Sequence, residues 1–217
     1  MLRTSIVGVV FSLVLTVSAW SQETTADGWT ILLGPKTKFE SNWVTKGNWV
    51  LDKDGVVSLE PRKGESGWSR HDMYLWLKDK TYTDFEIDFE YKVGKNSNSG
   101  FYFHVGDVKE PVKTGIEVQI YDSASKPATA KLNDHDSGGV IPGVPPTKNA
   151  AKAAGEWNRF QIAVKGKSLK VILNGETVNE VALDKGRLAT FPSTGSIGFQ
   201  DHALPISLRN IKIREIK

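Results

Sequence analysis

The stretch 114–122 aligns three side chains that can do chemistry along one side of a strand. At a period of two, Glu117, Gln119 and Tyr121 point one way, and the aliphatic residues between them point the other. A carboxylate, an amide and a phenol on one strand face are typical of the floor of a sugar-binding groove, where carboxylates serve as acid–base groups. Asp122 would join Glu117 if the strand bulged near Tyr121. The alternative is the solvated side of an ordinary sheet.

A second strand, 195–202, repeats this arrangement. Gly198, Gln200 and His202 share one face, while the apolar residues between them face the opposite way. Gly198 leaves room for a ligand or a neighbouring backbone, and His202 can act as a base near neutral pH. The alternative for His202 is a surface or hydrogen-bonded histidine.

A third candidate face carries Gly100, Tyr102 and His104, opposite two phenylalanines. Two other polar clusters are predicted to be structural. Glu86, Asp88 and Glu90 alternate with apolar residues, which predicts a solvated outer face. The segment 133–138 has oxygen-bearing side chains, but it lacks the spaced acidic ligands of an EF-hand loop, so turn chemistry is favoured over a cation site.

The elements that must position these residues are mostly strands. Two hairpin turns are indicated, at Asp54–Gly55 and at Asn174–Gly175. Strands are predicted at 49–60 (a hairpin), 84–91, 100–105, 114–121, 158–164, 168–173, 176–183, 195–200 and 206–213. Only 149–154 has a helix-like composition, and it lies within the long irregular segment 123–156, a candidate cover for the groove. Many short antiparallel strands predict an all-β fold, a two-sheet antiparallel jelly-roll sandwich.

Composition and the N-terminal sequence limit which partners the protein can bind and indicate where it is located. The formal charge is +3, with 28 basic and 25 acidic residues spread along the chain, which excludes a nucleic-acid footprint. Residues 1–21 have a basic start, an apolar run and a small-x-small end, so they are expected to be a signal peptide for secretion or export to the periplasm. Residues 22–217 are expected to form one domain, its core starting near residue 27, with no later membrane segment. The chain has no cysteine, which rules out disulfides.

Seven short motifs occur in an order that resembles the 3-keto-disaccharide hydrolase domain family. They are Asp84-Phe-Glu, Asn98-Ser-Gly, Gly115-Ile-Glu-Val-Gln-Ile-Tyr-Asp, Gly155-Glu-Trp-Asn, Leu173-Asn-Gly, Gly195-Ser-Ile-Gly-Phe-Gln-Asp-His and Arg209-Asn-Ile. The resemblance runs from about Trp29 to the C-terminus. It implies a concanavalin A-like jelly roll similar to laminarinase-type glucanases, and a hydrolase acting on a carbohydrate.

The resemblance also implies a chemistry. Glucanases of that type carry Glu-x-Asp-x-x-Glu on a strand, whereas this chain has Glu117-x-Gln119-x-x-Asp122, which disfavours an ordinary retaining glycosidase. A 3-keto sugar offers another route, because the ketone acidifies the proton on carbon 2 and the group on carbon 1 can then leave. We assign His202 or Glu117 as the base, Asp122 as its partner acid, and Gln119 and Gln200 as hydrogen-bond donors.

The remaining substrate-binding candidates are Tyr121, Tyr102 and His104, from the strand faces described above, and Arg209, from the last of the seven motifs. Family members often carry arginine where this chain has His104, so a divalent metal is an open alternative for polarising a carbonyl. A non-catalytic carbohydrate-binding, lectin-like module is the main competing function. A conventional glycosidase ranks last.

Overall fold

The computed structural model describes residues 24–127 and 129–216. The predicted signal peptide lies outside the described residues, so it stays a prediction. Within the described ranges, no helix has both the length and the apolar composition needed to cross a membrane.

Strands dominate the described residues. They are β1 (Thr30–Leu33), β2 (Trp43–Val44), β3 (Trp49–Leu51), β4 (Val57–Leu59), β5 (Leu75–Leu77), β6 (Phe85–Val93), β7 (Asn98–Val105), β8 (Ile116–Tyr121), β9 (Val140–Ile141), β10 (Asn158–Lys165), β11 (Ser168–Leu173), β12 (Glu176–Ala182), β13 (Ser196–Phe199) and β14 (Ile206–Glu215). Each predicted strand is present, and the prediction missed β1, β2, β5 and β9.

The strands form two antiparallel sheets. An eight-stranded sheet has the order β12-β11-β10-β6-β14-β4-β3, with β1 added against β14. A six-stranded sheet has the order β2-β5-β13-β7-β8-β9. Several neighbouring strands, such as β6 and β14 or β7 and β13, are far apart along the chain, so distant parts of the sequence meet in each sheet. The two sheets confirm the predicted sandwich.

The core lies between the sheets, where the apolar side of each strand is buried. Phe89 of the eight-stranded sheet packs on Phe101 and Phe199 of the six-stranded sheet, with ring centroids 5.7 and 5.0 Å apart. All three rings are fully buried, and burying a side chain of this size stabilises the fold by about 2 kcal/mol. The alternation that points these rings inward also points the intervening polar side chains of β7 and β8 outward.

Both predicted hairpin turns are present. Asn174 and Gly175 have φ values of +53° and +86°, as the two central residues of a type I′ turn require. At the other turn, the Asp52 carboxylate accepts backbone N–H groups from Asp54 and Val56, both at 2.9 Å.

Helical segments are short. They are α1 (Phe39–Asn42), α2 (Pro111–Thr114) and three 3₁₀ turns at His71–Met73, Ser123–Ser125 and Gly186–Thr190. The segment 149–154 forms no helix in spite of its composition. Its backbone is instead tied to the eight-stranded sheet, where Asn174 Nδ2 donates to the Ala150 carbonyl at 2.8 Å.

Candidate functional site

A cleft with two lobes lies on the face of the six-stranded sheet that points away from the core. The lobes measure about 220 and about 180 Å³. Both are lined by Tyr102, Val112, Glu117, His135 and Ile141. We call the larger one the tryptophan lobe, which adds Trp68, Asn98, Gln119, Gln200 and His202. We call the smaller one the arginine lobe, which adds Gly115, Asp134, Pro142 and Arg187.

Glu117 lies where the two lobes meet. It stands opposite Tyr102 in the register of β8 and β7, and the Tyr102 hydroxyl donates to Glu117 Oε2 at 2.7 Å. Gly100 lies beneath the carboxylate, where the Cβ of any other residue would overlap it. Glu117 is only 5% exposed. The strand pairing therefore holds this carboxyl group at the floor of the cleft, with an edge open to both lobes.

Burial sets the charge state of Glu117. Loss of hydration, with a smaller contribution from the negative charge of Asp134, raises its pKa to about 8 against the opposing effect of the Tyr102 hydrogen bond. At neutral pH the carboxyl group therefore keeps its proton. A carboxylic acid with such a pKa can donate a proton to a leaving group.

The Gln119 side chain forms its hydrogen bonds to Glu117 and to the backbone rather than to a ligand. Its carboxamide, oriented to satisfy its neighbours, donates to Glu117 Oε1 at 3.1 Å and to the Ser99 carbonyl at 2.9 Å. Both N–H donors are thus used within the protein. The prediction that Gln119 donates to the substrate is not supported by this geometry, although Gln119 does line the tryptophan lobe.

A group of aromatic rings supports Tyr102 from the side. The Tyr74 ring lies 5.7 Å from Tyr102 and 5.7 Å from Trp76, between centroids. The Tyr74 hydroxyl donates to the Trp68 carbonyl at 2.8 Å, which fixes the segment that presents Trp68 at 45% exposure to the cleft. Trp76 lies across Gly198, so the space that this glycine leaves is filled by a ring of the protein rather than by a ligand.

The end of β13 brings Gln200 and His202 to the tryptophan lobe. The Gln200 N–H donates to the Gly100 carbonyl at 2.9 Å, and Ser99 Oγ donates to the Gln200 carbonyl at 2.8 Å. Gln200 Oε1 is buried and has no partner among the described residues. Since buried polar atoms are nearly always hydrogen-bonded, this oxygen is a candidate acceptor for a ligand hydroxyl. His202, half-buried, lines the same lobe.

An ion pair fixes the segment between these two residues. The Asp201 carboxylate is fully buried and accepts Arg70 Nη2 and the Ala203 N–H, both at 2.7 Å. Burial raises the Asp201 pKa. Because Arg70 follows Trp68 closely in sequence, this pair connects the strand end that carries His202 to the segment that carries Trp68.

Asp122 and Tyr121 lie outside the cleft. Asp122 Oδ2 accepts the backbone N–H of Asn96 at 3.0 Å, where Asn96 has a φ of +57°. The carboxylate thus stabilises the turn between β6 and β7, and the predicted role as partner acid of Glu117 is wrong. The Tyr121 ring lies under Lys126 Nζ, 5.7 Å from the ring centroid, and lines neither lobe.

A bulge in β7 turns His104 away from the cleft. Tyr102 pairs with Gly198 and Val105 pairs with Ser196, so three steps along β7 match two along β13. The extra residue takes up a φ of +52° at His104. The prediction that His104 shares a face with Tyr102 is therefore wrong, since the bulge reverses the alternation.

His104 is instead buried near the core. Its Nε2 lies 2.8 Å from the Thr83 carbonyl, and its ring packs on Phe85 and Phe103. Burial lowers its pKa. A separate cavity of about 240 Å³, lined also by Leu188, borders this ring. Among residues 24–127 and 129–216, no three acidic or histidine side chains come together as metal ligands.

Arg209 belongs to the other sheet. Its Nε donates to Glu90 at 3.0 Å, and its guanidinium lies 4.0 Å from the Trp157 ring centroid. The prediction that Arg209 binds substrate in the cleft is therefore wrong. Asp88 is likewise paired with Arg159, and both side chains border a cavity of about 460 Å³. The carboxylates of β6 pair with arginines, but Asp88 is only 4% exposed, so the predicted solvated face fits only the half-buried Glu86 and Glu90.

Turn chemistry explains 133–138. Asp136 accepts the Asn133 N–H at 2.8 Å and pairs with Lys126 at 2.6 Å. Asp134 accepts the Gly143 N–H at 2.6 Å and contacts His135 Nδ1 at 2.8 Å.

The sequence interpretation missed Trp68, Asn98, His135 and Arg187 as cleft residues. Each lies at a strand end or in a connection, where no periodicity reveals its direction. The available signal was the long irregular segment 123–156, which carries both His135 and Ile141 into the cleft.

Comparisons with known proteins agree with this architecture. A 3-keto-disaccharide hydrolase from Bacteroides thetaiotaomicron is 28% identical over 217 aligned positions, which cover 82% of this chain and 72% of the relative. A crystal structure from Parabacteroides distasonis, provisionally named a glycosyl hydrolase, has a TM-score of 0.70 and 26% identity, and the match covers 88% of this chain and 96% of that one.

A β-glucanase from Bacillus licheniformis shares the fold, with a TM-score of 0.53, 11% identity, and coverage of 86% of this chain and 98% of that one. The predicted glucanase-like sandwich is thus confirmed. The family of 3-keto-alpha-glucoside-1,2-lyase-like domains matches residues 21–214. Because this match spans most of the sequence, the chain belongs to the 3-keto-alpha-glucoside-1,2-lyase-like domain family.

Proposed function

We propose that this chain, an enzyme of the glycoside hydrolase type, cleaves 3-keto-glycosides by elimination followed by addition of water. The proposal rests on the position and charge state of Glu117. This buried carboxyl group has a pKa of about 8, so it is protonated at neutral pH, and it lies where the two lobes meet. The curated relative is named a 3-keto-disaccharide hydrolase, which supports the same substrate class.

The first half of the reaction breaks the glycosidic bond. The ketone at carbon 3 acidifies the proton on carbon 2, and His202 in the tryptophan lobe removes that proton. The electron pair forms a double bond between carbons 1 and 2, and the bond from carbon 1 to the glycosidic oxygen breaks. Glu117 gives its proton to that oxygen. The products are an unsaturated keto sugar and a free alcohol.

The second half adds water across the new double bond. Glu117, now a carboxylate, takes a proton from water while the water oxygen bonds to carbon 1. The His202 imidazolium, whose N–H exchanges with solvent because the ring is only half-buried, then gives a proton to carbon 2. Both residues recover their starting charge, and the sum of the two halves is hydrolysis.

The negative charge that develops on the ketone oxygen needs a donor. Both Gln119 N–H groups are used within the protein, whereas the neighbouring Asn98 carboxamide also lines the tryptophan lobe. We assign Asn98 to this oxygen, and the unpartnered Gln200 Oε1 to a sugar hydroxyl.

A conventional retaining mechanism fits the cleft poorly. It requires an ionised nucleophile next to a protonated acid. Burial favours the neutral form of Glu117, and Asp122 is used by a turn.

A carbohydrate-binding module is the second candidate function. The exposed Trp68 beside an amide-lined lobe favours it, because an aromatic face and amides are sufficient to bind a sugar ring.

Incubation of the protein with a 3-keto-glucoside and with its non-oxidised parent tests these proposals. Release of the aglycone from the keto substrate alone is expected, and Glu117→Gln should lose release while it retains binding. Release from the parent alone would sink the keto-sugar proposal. If the aglycone is released from neither substrate while the sugar still binds, the result would favour the carbohydrate-binding module. A parallel incubation with a chelator reports whether a metal takes part.

A further inference from the structure

We propose that the arginine lobe is the subsite for the leaving group, and that Arg187, His135 and Asp134 make it select a polyhydroxylated one, a second sugar ring. This inference rests on the proposed function. On this proposal, the arginine lobe is the side of the cleft that recognises the second sugar ring, and these three residues determine which leaving groups bind there.

The position of Glu117 divides the substrate between the lobes. The glycosidic oxygen must lie at Glu117 to receive its proton, and Glu117 lines both lobes. His202 lines only the tryptophan lobe, so the ring whose carbon 2 is deprotonated lies there. The group on the other side of the glycosidic oxygen then extends into the arginine lobe. The lobes have similar volumes, about 220 and about 180 Å³, so the second lobe accepts a group about as large as a single ring.

The polar groups of the arginine lobe suit hydroxyl groups. Asp134 uses its carboxylate oxygens for the Gly143 N–H and for His135 Nδ1, and a carboxylate has lone pairs for further donors. Arg187 supplies guanidinium N–H donors, and within the described ranges no carboxylate lies at ion-pair distance from it. A sugar hydroxyl can donate to the first group and accept from the second, whereas an apolar aglycone can do neither.

His135 connects the two lobes. Its Nδ1 is bonded to Asp134, which leaves Nε2 as the ring nitrogen available to a ligand. Since His135 lines both lobes, it stands beside the glycosidic bond on the leaving-group side.

Two keto substrates of the same anomer test the subsite. One carries a second glucose as the leaving group, and the other carries only a methyl group. The ratio for each variant is compared with the ratio for wild type, so the difference in acidity between the two leaving alcohols cancels, and only the disaccharide reaches the arginine lobe. We expect Arg187→Met to lower the ratio of kcat/KM for the disaccharide over the methyl glycoside by about tenfold, the effect of losing one charged hydrogen bond.

His135→Gln should lower the same ratio, whereas Lys185→Met is the matched control. Lys185 is exposed, precedes Arg187 in the same segment and lines neither lobe, so its removal should leave the ratio within about twofold. An unchanged ratio in the Arg187 and His135 variants would overturn the subsite.

A binding measurement separates failure of the subsite from failure of the proposed function. Saturation-transfer NMR with the non-oxidised disaccharide needs no turnover. Contacts from both rings to the wild-type protein, with the second ring losing its contacts in Arg187→Met, support the subsite even if neither keto substrate is cleaved. Contacts from one ring only would overturn it.

Discussion

At the scale of single residues, the site depends on one carboxyl group held in its neutral form. Glu117 alternates with buried aliphatic residues along β8, so the sequence sufficed to place it on the outer face. Its proton could not be predicted from the pattern. It follows from burial of the carboxyl group among residues of the paired strand and of the same face, which outweighs the Tyr102 hydrogen bond that favours the ionised form.

The protonation of Glu117 predicts a falling alkaline limb in activity. The pKa is raised to about 8, so the proton donor is present below that pH and is lost as the pH rises through it. We expect kcat/KM on a 3-keto-glucoside to fall about tenfold per pH unit above this pKa. Glu117→Gln should lower kcat/KM by about 100-fold or more below this pKa, and its kcat/KM should lack the alkaline limb. A wild-type profile that stays flat to pH 10 would contradict the assignment.

The same pKa predicts a change in stability with pH. The folded-state pKa of about 8 lies above the unfolded value of 4.5, so the native protein holds a proton that the unfolded chain releases. The free energy of unfolding should therefore decrease as the pH rises from 4.5 to 8, by on the order of 4 kcal/mol from this group. Glu117→Gln removes the titration. Its melting temperature should rise relative to wild type between pH 5 and pH 9, and a constant difference would speak against the raised pKa.

At the scale of elements, the alternation of polar and apolar residues predicted most strands. It failed where the direction of a side chain depends on how its strand pairs with a neighbouring strand. His104 continues the pattern of Tyr102 in sequence, but the extra residue opposite β13 rotates it inward. The short strands β2, β5 and β9 have only two or three residues, too few to show a period. Asp122 follows Glu117 at a suggestive spacing, although the turn that uses it is visible only in the fold.

Substitution of Asp122 should therefore affect the stability of the protein, whereas substitution of Glu117 should affect its turnover. Asp122→Ala removes the acceptor of the Asn96 N–H, which should lower the free energy of unfolding by about 1–3 kcal/mol. Chemical denaturation measures this loss. The kcat/KM of the folded variant should stay within about twofold of wild type. A 100-fold loss of turnover in a stable Asp122→Ala protein would return Asp122 to the mechanism.

At the scale of the whole molecule, the order of the motifs along the chain predicted the family and the sandwich, but not the shape of the cleft. The lobes are formed by connections such as 123–156, and a connection's path depends on contacts with both sheets. This segment is anchored, since Asn179 Nδ2 donates to the Gly138 carbonyl at 2.7 Å and the Thr147 N–H donates to the Val178 carbonyl at 2.8 Å. It contributes walls to the cleft rather than a detached cover.

These anchors predict that 131–148 resists proteases equally with and without ligand. Limited proteolysis with mapping of the cleavage sites measures this, because backbone tied to a sheet must open locally before it is cut. The exposed 62–67 segment serves as the internal comparison. Cleavage within 131–148 that a sugar ligand suppresses would support a mobile lid and contradict the anchored wall.

Turnover of a 3-keto-glucoside in D₂O, followed by NMR at carbon 2, tests the central claim most directly. Elimination and addition of water require that the carbon 2 proton leave and that a proton from the solvent-exchanging His202 imidazolium replace it during each cycle. We therefore expect deuterium at carbon 2 of the released keto sugar, and slower turnover of substrate deuterated there. Product that retains its carbon 2 proton fully, at an unchanged rate for the deuterated substrate, would contradict the proposed mechanism.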